Sequence, residues 1–258
     1  MNGLMMTLAS SDPLSHVLDH DLHWLTDNLQ VTKHVLMLVV SALVCVAIFP
    51  MIAKKIAGGV PGGRTAGLFE VVLLYIRDEM VKPFLGDDTQ RFLPLIWTFF
   101  FVILFCNLLG LIPGSATATG NISVTAGLAV ISLVTYHFVG VQRNGLIPYL
   151  KANLLVGPAY LWPLMIPIEI GGHIIKPCAL AIRLFANMVG GHIMLAVILG
   201  FAGIISAENM LTGSVITVVS VLSSVMLTFL ELLVAFIQAY IFAFLTTVFL
   251  SLALHPEH

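Results

Sequence analysis

Residues 156–206 read VGPAYLWPLMIPIEIGGHIIKPCALAIRLFANMVGGHIMLAVILGFAGIIS, and residues 215–254 read VITVVSVLSSVMLTFLELLVAFIQAYIFAFLTTVFLSLAL. An α-helix needs about 20 apolar residues to cross ~30 Å of hydrocarbon, and each of these stretches has roughly twice that or more. A short polar segment with Glu208 and Asn209 separates them. They predict a long antiparallel helical hairpin that must tilt to fit a bilayer. Amid the apolar residues the first stretch keeps Glu169, His173, Lys176, Arg183, Asn187 and His192, and the second keeps Glu231 and Gln238. A charge near the bilayer centre costs ~2.5–3.5 kcal/mol on insertion scales, so each residue that lipid would exclude is a candidate for function.

The rest of the composition agrees with lipid as the solvent. Of 258 residues, 59% are hydrophobic and only 9% charged, with mean hydropathy +1.04, against about 25% charged in a soluble domain. Eleven Lys and Arg against thirteen Asp and Glu leave a net charge of −2, with no basic excess to neutralise phosphates, so nucleic acid is excluded as a partner. Cys45, Cys106 and Cys178 all lie in apolar runs, where cysteine behaves as a small hydrophobe. The first ten residues lack a basic n-region ahead of an apolar core, which argues against a cleaved leader.

Working outward, residues 1–32 form a polar arm with Asp12, Asp19, Asp21 and Asp27 and no Lys or Arg. Residues 33–258 make the membrane domain, with spans at about 35–53, 93–112, 122–141, 156–206 and 215–254. Gly58-Gly59-Val60-Pro61-Gly62-Gly63 breaks the chain after the first span. At 66–82, Glu70, Arg77, Asp78 and Lys82 recur at helical spacing among apolar residues, which predicts a helix lying in the interface. Lys54, Lys55, Arg64, Arg77, Lys82, Arg91, Arg143 and Lys151 all fall in segments on one side, and the opposite loops carry no Lys or Arg. The positive-inside rule makes that side cytoplasmic and the acidic arm external. The expected fold class is all-α: a polytopic membrane protein of about five crossing helices plus one interfacial helix, its last two forming the tilted hairpin.

At 100° per residue, Lys176, Arg183, Asn187 and Gly190 share one face, and His192 points nearly opposite. Facing residues in an antiparallel hairpin have a nearly constant sum of positions. Arg183 with Gln238 gives 421 and His192 with Glu231 gives 423, so one register satisfies both pairs. Arg183 cannot lose its proton, so it attracts a carboxylate and blocks a proton without carrying one. His192 and Glu231 can exchange protons and suit a relay, and Glu169 with His173, one turn apart, makes a second titratable pair. Gly171, Gly172, Gly190 and Gly191 permit close approach of a helix or water. Arg183 has no acid in register within the chain, so its counter-charge is expected on another protein.

The segment Ala181-Ile182-Arg183-Leu184-Phe185-Ala186-Asn187-Met188, with Gln238-Ala239-Tyr240-Ile241-Phe242 and Asn107-Leu108-Leu109-Gly110-Leu111-Ile112-Pro113, resembles subunit a of the membrane sector of the proton-translocating ATP synthases, over most of the chain from about residue 30. The resemblance implies a non-catalytic transport subunit, a stator touching a rotating ring of c subunits that each carry one membrane carboxylate. It implies that Arg183 meets that carboxylate and separates two aqueous half-channels, that Asn187 and Gln238 line the ring contact, and that His192 and Glu231 line the outer half-channel. Implied partners are the c-ring, subunit b of the peripheral stalk, the lipid bilayer and the translocated protons, with no cofactor and no metal. The implied location is the bacterial cytoplasmic membrane, with the mitochondrial inner membrane as the alternative. In many bacterial members the residues matching His192 and Glu231 are glutamate and histidine; here they are exchanged, which conserves one imidazole and one carboxylate.

A self-contained secondary ion transporter is the alternative function, although no internal repeat is evident. An intramembrane hydrolase would need a nucleophile or metal set that the sequence does not offer. The aromatic run Trp97–Phe101 reads as lipid-facing bulk, and His16, His20, His23 and His34 read as surface residues. Exchanging His192 and Glu231 for one another is expected to preserve far more proton-driven ATP synthesis in the assembled complex than changing either to Ala. Equal losses in all three variants would count against the pairing.

Overall fold

A computed structural model describes residues 33–56, 64–112, 117–154, 159–206 and 210–254. The polar arm, the glycine-rich break at 58–63 and the Glu208-Asn209 turn lie outside the described residues. Helices α1 (Lys33–Ile56), α4 (Thr89–Gly110), α5 (Ile122–Asn144), α7 (Trp162–Ser206) and α8 (Met210–Leu254) carry the five expected spans. Between α1 and α4 lie α2 (Arg64–Tyr75), a π-helical segment (Ile76–Val81) and a short α3 (Lys82–Leu85). No strand occurs among the described residues. Four helical stretches are long and apolar enough to cross a membrane, and α1 adds the shorter apolar run Val35–Pro50. The protein is an all-helical, multi-pass membrane protein.

Side-chain pairs fix the helix directions. Phe49 packs edge-on against Phe101 at 5.0 Å and Ser41 reaches Cys106, so α1 and α4 are antiparallel. Asn107 reaches the Ala235 carbonyl and Phe99 lies 5.4 Å from Phe242, so α4 and α8 are antiparallel. Ser132 bonds Thr246 and Asn144 bonds the Ala253 carbonyl, so α5 and α8 are parallel. In the hairpin, the Lys176 ammonium sits 5.6 Å over the Phe249 ring, and Gly191 lies against the Glu231 carboxylate. Those position sums, 425 and 422, match the register read from sequence. Each of α7 and α8 has 45 residues, or about 68 Å at 1.5 Å per residue. Two such helices fit a ~30 Å slab only when strongly inclined.

Helix boundaries follow local chemistry. The Asn121 side chain accepts from the Ser123 amide at 2.9 Å and so caps α5. That helix ends at Gly145, whose φ of +82° an L side chain would resist. Directly after it comes α6 (Leu146–Leu154), a helix the hydrophobic pattern does not announce; its Pro148 sits in the first turn, where a missing amide costs nothing. The chain turns at Gly86, whose φ of +51° favours glycine. Pro167 and Pro177 do not interrupt α7.

Two readings change. The run Trp97–Phe101 is not lipid-facing bulk: Phe99, Phe100 and Phe101 are buried, with Phe101 held between Phe49 and Phe69. The reason is topological, since α4 is wrapped by its neighbours on several sides, and composition cannot distinguish core from lipid. The charged face expected across 66–82 is also shorter than the pattern implies. Arg77 is half-buried and Asp78, Glu79 and Lys82 are exposed, but so are Leu68 and Val71, while Ile76, Met80 and Val81 turn into the core. At the same end, Arg143 grips both oxygens of Asp88 at 2.9 Å and ties α5 to the turn before α4.

Asn107 is fully buried and joins three elements: it accepts from the Thr119 hydroxyl at 2.8 Å and donates to Ala235 on α8. Asn107→Ala strands the Thr119 hydroxyl and should cost about 1–3 kcal/mol in SDS-titrated unfolding of the purified chain. Combining it with Thr119→Val should cost less than the sum of the two single changes; strict additivity would show that the pair is not coupled.

Candidate functional site

The hairpin leaves most of its surface uncovered by the rest of the chain. The most apolar stretch within Gly67–Gly110 is more than half buried, whereas those of α7 and α8 are almost bare. On the open face of α7 stand Lys176, Arg183, Ala186, Asn187 and Gly190, all exposed, which is the face the wheel predicts. Among the described residues Arg183 has no hydrogen bond and no ion pair; the acid-base contacts there are Arg77–Asp78 and Arg143–Asp88. Gln238, expected beside Arg183 in register, is 6% exposed and makes no bond to it, so of the two neutral residues Asn187 is at the open face and Gln238 is covered.

Two cavities, each carrying a few polar side chains, flank Arg183 on opposite sides along the hairpin. The first, about 190 Å³, has mainly apolar walls, among them Leu111, Leu227 and Leu230, with Asn187, His192 and Glu231 as its polar lining and Gly191 beside them. It brings together the His192 and Glu231 that the register pairs, but not in a direct bond. The His192 Nε2 instead shares a hydrogen bond with the Thr117 hydroxyl. Glu231 Oε1 is buried with no hydrogen-bond partner among the described residues, an arrangement that calls for a proton or a water on the carboxyl. Gly191 makes this possible, since a Cβ there would overlap the carboxyl group. A neighbouring groove toward the hairpin turn shares Leu111 and adds Ser224 and Thr228.

The second cavity, about 200 Å³, lies toward the end bearing Arg143 and Lys151. Tyr136, Tyr149, Asn153, Glu169, His173 and Lys176 line it. Glu169 and His173 share it, as their one-turn spacing predicts. Tyr149 is anchored from α6: its ring fills the space beside Gly140 that a Cβ would occupy, and its hydroxyl bonds His137 Nδ1 at 2.9 Å. Burial pushes the Tyr149 phenol up from its ordinary value, which keeps it a neutral hydroxyl. Either cavity has room for several waters.

Thr117, His137 and Tyr149 are absent from the sequence-level candidates. His137, a histidine inside an apolar span, carries a signal that sequence alone offers. Thr117 carries none, because only the path of the segment after α4 brings it to His192.

At 1.5 Å per residue, Arg183 stands about 13 Å along α7 from His192 and about 15 Å from His173. Hydrogen bonds span about 3 Å, so no direct proton transfer joins either imidazole to the other past the guanidinium.

These features define a multi-pass helical membrane protein whose inclined hairpin presents an arginine, unpaired among the described residues, between two cavities that each hold titratable side chains. The chain belongs to the ATP synthase A chain family, whose model matches residues 34–251. It is 39% identical over 234 residues to ATP synthase subunit a of Myxococcus xanthus (strain DK1622), covering 90% of this chain and 75% of that protein. It is 40% identical over 231 residues to ATP synthase subunit a 2 of Chlorobaculum tepidum, covering 88% of this chain and 64% of that protein. With the subunit a of Anaeromyxobacter sp. (strain Fw109-5) it shares 41% over 234 residues, or 88% of this chain and 55% of that one. The chain thus spans between about half and three quarters of the length of these relatives.

Gly191→Ala forces the Glu231 carboxyl aside. Because that group is the far end of a flexible side chain, the unfolding free energy should change by no more than about 1 kcal/mol. The Glu231 carboxyl infrared band, assigned with Glu231→Gln, should nevertheless shift. An unmoved band would mean that the carboxyl does not lie against Gly191.

Proposed function

We propose that this chain is the proton-conducting, non-catalytic stator of the membrane sector of a rotary ATP synthase, in a bacterial cytoplasmic membrane. The observation that carries the reading is the exposed Arg183 guanidinium, without an acid of its own among the described residues, on a bare apolar helix face between two cavities that hold titratable side chains. A permanent charge in that position is stable only against a negative partner supplied from outside the chain. A carboxylate on each subunit of a c-ring fits this requirement and also moves, which lets one arginine serve many acids in turn.

The chemistry of the chain's own residues follows. In the direction of synthesis, protons pass the turn-side groove and reach His192 and Glu231, where the orphaned Oε1 takes up and releases them. From there they load onto a ring carboxylate. Arg183 holds the unprotonated form of the next carboxylate and, being unable to titrate, passes no proton along the stator. Its distance from either imidazole means that a proton crosses only by riding the ring. It leaves through Glu169 and His173 to the side marked basic by Arg143 and Lys151. Asn187, exposed one turn from Arg183, contacts the ring. Subunit b of the peripheral stalk holds the stator against the ring's torque.

Arg183→Ala leaves the ring carboxylate without its cation. Breaking such a buried pair costs about 3–5 kcal/mol, and each 1.4 kcal/mol is tenfold, so proton-driven ATP synthesis in reconstituted vesicles should fall by about a hundredfold or more. ATP hydrolysis by the soluble sector should persist. Synthesis at the normal rate in this variant would overturn the reading, as would failure of a cysteine at Asn187 to crosslink to a co-purifying hairpin subunit.

A further inference from the structure

Two histidines from different helices meet at the basic-end cavity, and only one of them, His173, lines it directly. The ring of His137 on α5 lies 5.0 Å from that of His173 on α7, which leaves no room for a third side chain between them. His137 Nδ1 is bonded to the Tyr149 hydroxyl, and Tyr149 is in turn held by Gly140 and by the Asn153 amide, which donates to its carbonyl at 2.9 Å. We infer that His137 and His173 form a one-proton hand-off pair on the release side, with Tyr149 as the positioning residue that lets His137 gain and lose its proton without moving.

The inference rests on the proposed function and deepens it. Two imidazolium rings at this separation repel one another, and the Lys176 cation lies on the same wall. The pair therefore holds one proton rather than two. A proton arriving at His173 from the ring side either passes to His137 or displaces the proton already there toward the water. Tyr149 serves both states of His137, because a phenol donates to the neutral ring and accepts from the cation. The groups facing the pair are Tyr136 on α5, Tyr149 on α6, and Glu169 and Lys176 on α7; α8 contributes the apolar ring of Phe249. Glu169, the one carboxylate among them, is on the His173 side. Its charge attracts the proton into the cavity, and the like charge of Lys176 favours its departure.

The test uses the assembled complex in vesicles, with pH set independently on the two sides. His137→Asn keeps an acceptor at the Nδ1 position for Tyr149 but cannot titrate. Proton flux should fall about threefold to tenfold, and the dependence on release-side pH between about 5 and 8 should flatten, while dependence on uptake-side pH stays as in the unmodified complex. Tyr149→Phe deletes one oxygen and should move the release-side midpoint to lower pH, since the lost bond is stronger to the charged ring. Unchanged release-side profiles in both variants would overturn the inference, as would equal changes on both sides, which mark a general structural effect. If His137→Asn fails to assemble, Tyr149→Phe decides by the same criteria. Arg183→Ala in parallel separates the two claims: normal synthesis in that variant defeats the stator reading, whereas a dead Arg183→Ala beside unaltered His137→Asn and Tyr149→Phe defeats only the hand-off pair.

Discussion

A guanidinium that cannot shed its charge sits on a helix face that nothing in the described chain covers, and the rest of the molecule is arranged around that constraint. Most of the described residues that pack a core do so elsewhere, in the cluster of α1, α4, α5 and α8 built on Phe99, Phe101 and Phe242. The hairpin is held from behind, by α4 through Asn107 and Ala235 and by α5 through Ser132 and Thr246. Packing on one side alone leaves the opposite side open for a partner. A cation buried within the chain would need an internal acid and would be silent; one exposed on a rigid scaffold stays available.

Under the proposed function, rigidity matters because the two cavities must stay apart. Helices α7 and α8 are continuous through both, so the separation of His173, Arg183 and His192 is set by helical rise and does not depend on loop conformation. Small residues then admit the polar groups. Gly191 gives the Glu231 carboxyl a place between the helices, and Gly140 gives Tyr149 its place against α5. Each close approach would be lost with a single added methyl.

Much of this was legible without coordinates. Run length and the position of charges gave the all-helical, multi-pass class, the open face of Lys176, Arg183, Asn187 and Gly190, and the register that brings Gly191 and His192 to Glu231. These depend on periodicity, which a helix converts directly into geometry. The burial of Trp97–Phe101 was misread for the opposite reason: a lipid-facing helix and a core helix have the same composition, and only the neighbours of α4 decide between them. Helix α6 escaped because nine residues with a proline among them are too few for helical periodicity to separate from a loop.

The sequence by itself determined that the last two long helices pair, in which register, and which polar residues of the first share a face, because 100° per residue and an antiparallel sum are properties of order along the chain. Only the tertiary structure decided what each polar group touches: Thr117 for His192, no bond among the described residues for Glu231 Oε1, Tyr149 for His137, and burial for Gln238. Such contacts arise where segments distant in sequence converge, and side-chain reach at those crossings depends on helix inclination and on small residues in the partner, neither of which a one-dimensional pattern encodes.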